Sequence, residues 1–140
     1  MSFLRWISVL ALMSASVASA ADPSWEPGKF ASAETVELRT DVPGEGEYWF
    51  PVWVVVVDGA PYIRLGSRAA DRFEHNQTAP VLSIRLDGRQ YDQVRGEAAP
   101  EQAEAVNQAM AAKYWSDFFI RWFPHPLTLR LVPAESPVAP

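Results

Sequence analysis

No cysteine occurs anywhere in this chain, so no disulfide can staple it and no thiol can serve as nucleophile or metal ligand. Histidine is nearly as scarce: His75 and His125 stand far apart, with no cysteine or paired acid at metal-ligand spacing. That argues against a structural zinc site and leaves no metal residues to name. Basic residues are outnumbered, 12 against 17 acidic ones for a formal charge of -5, which argues against nucleic-acid and anionic-membrane partners. A G-x-S-x-G turn is also missing, and with it the usual mark of a serine hydrolase. Asp92, Glu97, Glu101 and Glu104 fall on a polar strand and a helix start, where they serve solubility and the helix dipole.

Long apolar runs are lacking too. The stretch Trp6 to Met13 follows Arg5 and precedes Ala18-Ser19-Ala20, the pattern of a secretory signal peptide over residues 1–20. It falls short of the roughly 20 apolar residues that span a bilayer, so no stable membrane anchor is expected. The expected location is periplasmic or secreted. Removing the leader takes away Arg5 and makes the chain more acidic. The remainder divides into an N-terminal arm or short helical lead-in (21–33), one compact domain (34–133) and a flexible Pro-rich tail (134–140).

The clearest positive signal lies in the middle of the chain. Val52 to Val57 is rich in β-branched residues and contains no charge, so both faces of that strand must be covered. Asp58-Gly59 supplies a two-residue hairpin turn, and Ala60 to Leu65 returns as the next strand. Before them, Val36 and Leu38 alternate with Glu37 and Arg39 in a half-buried strand over Glu34 to Thr40, followed by a turn over Asp41 to Glu47. Ser67 to Asn76 reads as a helix capped by Ser67, with Ala70 and Phe73 facing inward. Leu82, Ile84 and Leu86 alternate into Asp87-Gly88, a second hairpin whose return strand is Arg89 to Ala98; both strands are polar enough to lie near an edge. Pro100-Glu101 opens a helix that runs to Lys113. Leu127, Leu129 and Leu131 mark a last strand. Six strands, mostly antiparallel, with two interspersed helices predict a mainly β fold, a small barrel.

Arg64, Ser67 and Arg68 gather where a strand gives way to a helix, a setting suited to a phosphate, although a serine beside solvated arginines is also an ordinary helix start. Arg72, one turn on, either faces the same ligand or pairs with a neighbouring acid. Trp53, with Tyr48 and Trp49, either stacks on a planar ligand or packs in the core or a dimer contact. Tyr114, Trp115, Phe118, Phe119, Trp122 and Phe123 exceed what one helix face buries, which points to a homodimer.

Pro51 through Gly59, Tyr62-Ile63-Arg64, Ser67-Arg68 with Arg72-Phe73, and Lys113-Tyr114 together resemble the split-barrel flavin-binding superfamily typified by pyridoxamine phosphate oxidase. Within it the chain is most similar to an uncharacterised bacterial group, the domain-of-unknown-function family 2255. The resemblance covers roughly Glu34 to Pro133 and implies a six-stranded split barrel. It implies a cofactor phosphate at Arg64, Ser67 and Arg68, and a site shared between two subunits. The implied cofactor is flavin mononucleotide or a deazaflavin, with haem, bound through His75 or His125, a less favoured branch of the fold. Two functions follow as expectations: an exported oxidoreductase whose bound ring does the chemistry, or a non-catalytic periplasmic ligand-binding or interaction module that has lost the cofactor.

Overall fold

The computed structural model describes residues 22–117 and 124–134. Its strands are β1 (Thr35–Val42), β2 (Gly46–Val57), β3 (Ala60–Leu65), β4 (Val81–Leu86), β5 (Arg89–Ala98) and β6 (Leu127–Pro133). They close in the order β1-β2-β3-β6-β5-β4, and every pairing is antiparallel. The expected edge therefore does not exist: Glu37, Leu38 and Arg39 of β1 pair with Arg85, Ile84 and Ser83 of β4 and shut the barrel. Closure satisfies the backbone groups that an open edge would expose.

Both Asp-Gly turns form as expected. Asp58 and Gly59 sit at φ 49 and 78, Asp87 and Gly88 at φ 49 and 75, the left-handed pair that a two-residue hairpin requires. The first hairpin, by contrast, is longer than its sequence suggests, since β2 already starts at Gly46 and its residues Gly46 to Trp53 pair with the whole of β1, leaving Val54 to Val57 to pair with β3.

Among the described residues there are three α-helices, one more than expected: α1 (Pro27–Ser32), α2 (Ser67–Glu74) and α3 (Ala103–Lys113). The additional one lies in the arm. Phe30, fully buried, carries α1 into the barrel core, and Trp25 packs against both Phe30 and Tyr91. Pro100–Gln102 winds as a tight 3-10 turn rather than as the first turn of α3, with the Gln102 amide donating to the Ala99 carbonyl at 3.0 Å.

Two cores share β2. Val54 points into the barrel with Leu38, Ile63, Leu65, Ile84 and Leu131. Val55 points outward with Tyr62, Val106, Met110 and Tyr114 beneath α3. This is the physical basis of the uninterrupted apolar run: α3 lies on the outer face of a strand whose inner face already lines the barrel. Gly96 is the closest inward approach, because a Cβ there would sit 3.0 Å from the Phe73 ring that α2 drops over it. Of the late aromatics, Tyr114 is buried and Trp115 is 86% exposed, while Phe118, Phe119, Trp122 and Phe123 lie outside the described residues, as do residues 1–21, which hold the expected signal peptide, and 135–140.

Candidate functional site

The end of β3 and the start of α2 meet α3 at a cleft of about 180 Å³. Trp53, Arg64 and Gly66 line it together with Met110 and His125. Ser67 and Arg68 follow Gly66 directly, and both are exposed. The junction is also where Ser67 departs from expectation. Gly66 is the N-cap, Ser67 is the first helical residue, and among the described residues no side chain caps the helix. The extended Gly66 leaves the hydroxyl of Ser67 one position too far along to cap the first turn.

Arg64 is not a surface cation. It points from β3 under α3, where Nη2 donates to Asp117 Oδ1 at 2.6 Å and Nη1 donates to Asn107 Oδ1 at 3.0 Å. The two charged side chains are 4% and 1% exposed, which makes this an internal ion pair bracing the barrel against α3 and the residues after it. Arg68 is different, for among the described residues it has no polar partner. Arg72 turns away from the cleft, its Cζ 4.5 Å above the Tyr48 ring and its Nε 3.5 Å from Glu45, so it fastens α2 to the first hairpin. Of the two readings of Arg72, pairing with an acid is the one realised.

Trp53 stacks on Tyr114 with ring centroids 4.2 Å apart and planes within 3°. Beyond that pair lies a second cleft of about 310 Å³, lined by Trp53, Tyr114, Lys113, Trp115 and Glu34. Lys113 holds the place together: its ammonium donates to the carbonyls of Ala33 and Val54 at 2.5 and 2.7 Å and reaches that of Phe30 at 3.4 Å. Tyr114 Oη lies 2.6 Å from the Glu34 carbonyl, to which it donates, and accepts from the Val54 amide at 3.2 Å. These two residues clamp α1 and β1 to β2, a role that composition does not advertise because their partners are all backbone. Asn107 and Asp117 carry no local signal for a different reason: their partner, Arg64, lies 43 and 53 positions away in the chain.

Burial pushes the Lys113 amine below its ordinary 10.5 and the Tyr114 phenol above its ordinary 10.0. The signs are opposite in effect. As pH climbs towards 10.5, the unfolded lysine still holds a proton that the folded one has released, so folding stability attributable to Lys113 rises. Above 10.0 the unfolded tyrosine ionises first, and stability attributable to Tyr114 falls. Urea titrations between neutral and strongly alkaline pH should show the rise abolished in Lys113→Met and the fall abolished in Tyr114→Phe.

His75 is exposed on the C-cap of α2, with Nδ1 2.9 Å from the Asp71 carbonyl; that hydrogen bond, with the Asp71 carboxylate, raises its pKa. Among the described residues, no group of three or more His, Asp or Glu side chains is arranged to hold a metal ion.

No family model matches the chain, and no curated protein matches it in sequence. Among solved structures it is similar to a protein of unknown function from Agrobacterium tumefaciens, with a TM-score of 0.60 and 18% identity over 78% of this chain. The match spans about half of that protein, 52% of its length. It is also similar to a FAD-binding protein from Mesorhizobium loti, with a TM-score of 0.52 and 16% identity over 77% of this chain and 84% of that one. At such identities the likeness is one of fold. The chain has a closed six-stranded antiparallel barrel, and a flavin-binding protein is among the proteins that share its architecture.

Proposed function

We propose that this protein is an exported, dimeric flavin-binding barrel, with the phosphate of the flavin received at Ser67 and Arg68 beside the Trp53 cleft. The observation that carries the reading is convergence: Trp53, the Arg64–Gly66 stretch and Met110, separate in sequence, line one cleft from which the Ser67-Arg68 helix start opens. The likeness to a FAD-binding protein supports it.

The residues fit a flavin at its phosphate end. Ser67 offers a hydroxyl, Arg68 a guanidinium with no ionic partner among the described residues, and the first turn of α2 has backbone amides that no side chain caps. At the ring end Trp53 supplies one aromatic wall backed by Tyr114. The cleft, about 180 Å³, is smaller than the roughly 300 Å³ at which ligand pockets begin, so the ring needs a further wall. A second copy of the chain supplies it in this reading, and the 86% exposed Trp115 is a ring suited to such a contact. Bound flavin supplies hydride and electron transfer; this chain's part is to bind, orient and shield it. Arg64 takes the part of a brace beneath the site rather than a ligand.

Titration of the purified protein with flavin mononucleotide, FAD and a deazaflavin tests the reading by the change in their visible spectra. Arg68→Ala should weaken flavin mononucleotide binding by about one to two orders of magnitude, and riboflavin, which has no phosphate, should be insensitive to it. Light scattering should report twice the monomer mass, and intact-mass analysis of exported material should find Ala21 first. If no flavin, deazaflavin or haem binds, the second reading stands: a non-catalytic ligand-binding or interaction module. The observation favouring that reading is the Arg64–Asp117 pair, which commits one of the expected phosphate cations to the interior.

A further inference from the structure

On the barrel wall formed by β1, β4 and β5, away from Trp53, a cleft of about 370 Å³ is lined mostly by amides, hydroxyls and carboxylates. A β-bulge builds it. Leu82 pairs with Val94 and Ile84 with Tyr91, so Ser83 faces two residues, Asp92 and Gln93, and the alternation of β5 slips by one. Tyr91 and Val94 both stay buried while Asp92 and Gln93 are both exposed, which places two consecutive polar side chains on the outer face. The amides that the bulge frees are not left to the ligand. Asp22 closes them, with one carboxylate oxygen 2.9 Å from the Asp92 amide and the other 2.7 Å from that of Gln93.

The opposite wall is equally fixed. Asn76, 7% exposed, accepts from the Asp41 amide at 2.7 Å and donates to Thr78 Oγ1 and the Val81 carbonyl, while the Gln77 amide donates to the Asp41 carbonyl at 3.0 Å. The floor is Ser83, whose hydroxyl donates to Asp92 at 2.9 Å, with the Gln90 amide donating to the same carboxylate oxygen at 2.8 Å. Within this rigid frame, the Asp41 carboxylate and the side-chain amides of Gln77 and Gln93 have no partner among the described residues. Arg39 has only a 3.6 Å contact with Glu47.

We infer that this cleft is a binding site for a neutral polyhydroxylated ligand, a mono- or oligosaccharide. A carboxylate accepts from adjacent hydroxyls, a guanidinium donates to adjacent oxygens, and each primary amide does one of each. Sugar hydroxyls, which are donor and acceptor at once, match that mixture. A simple anion would face the Asp41 and Asp92 carboxylates, and a simple cation would face Arg39 and leave the amide donors unmatched. The inference is independent of flavin binding on the other side of the barrel.

The test is amide chemical-shift titration of the isotope-labelled full-length protein. The probes are glucose, galactose, mannose, N-acetylglucosamine and their β-1,4-linked dimers, with glutamate and spermidine as charged controls. At least one sugar should give saturable shifts centred on Gln77, Ser83 and Gln93, with a Kd of about 1 mM or tighter, and none at Ser67 and Arg68. Asp41→Ala and Gln77→Ala remove side chains that have no partner here, so they should leave the melting temperature unchanged. Each should weaken the sugar about tenfold. Absence of saturable shifts with every sugar, shifts produced only by a charged control, or binding unaltered in both variants would overturn the inference.

Discussion

Asp117→Ala should destabilise the fold by about 3–5 kcal/mol, the largest effect expected of any single polar substitution here. The cause is not the attraction lost but the charge left behind. Arg64 is 7% exposed and its side chain only 4%, so without Asp117 its guanidinium is an uncompensated buried cation. Asn107 alone, a neutral acceptor at 3.0 Å, does not neutralise it. Arg64→Met combined with Asp117→Leu removes both charges at similar volume, and most of the lost stability should return. Urea unfolding followed by circular dichroism gives both numbers; a double variant as unstable as Asp117→Ala would show that the pair's worth lies in packing instead. The same double variant reports on function. If Arg64 is a brace, flavin affinity survives in it, whereas Arg68→Ala loses affinity with the fold intact.

Phe30→Ala should cost a comparable amount, about 3–5 kcal/mol, although Phe30 sits in a six-residue helix outside the barrel strands. Its ring is fully buried in the barrel core, with Trp25 tilted against it at 5.0 Å and Trp25 in turn edge-on to Tyr91 at 5.7 Å. Removing it leaves a cavity where the arm plugs the barrel and frees the carbonyls that Lys113 gathers from α1. Limited trypsin digestion should then cut faster at Lys29, whose backbone the intact arm holds helical, and thermal melting should move down with it. An arm that was a loose appendage would show neither change. Asp22→Ala, which removes only the outer clip on the bulge amides, should cost about 1–2 kcal/mol, in keeping with two hydrogen bonds to a carboxylate at an exposed site.

The features readable in advance are those whose physics is local. Asp58-Gly59 and Asp87-Gly88 announce their hairpins because few other residues adopt two successive left-handed conformations. The run Val52 to Val57 announces a doubly covered strand because a one-sided strand would alternate. The bulge was legible in principle, since two polar residues between the apolar Tyr91 and Val94 break a period of two. The cleft at Gly66 was legible in part: Trp53 and Arg64 line it and Ser67 and Arg68 open from it, but Arg72 belongs to the first hairpin.

Sequence by itself thus determined the order of the strands, the two Asp-Gly turns, the mainly β class and the stretch in which a site was to be sought, because each rests on neighbours in the chain. Tertiary structure alone decided that the sheet closes without an edge, that Phe30 plugs it, and that Lys113 and Tyr114 clamp backbone carbonyls. It alone decided that Arg64 is an internal partner of Asp117 rather than a surface cation. The physical reason is common to all four. Burial, pairing and charge compensation depend on which residues are brought together across the chain, and Arg64 and Asp117 are separated by 53 positions until the barrel and α3 close over them.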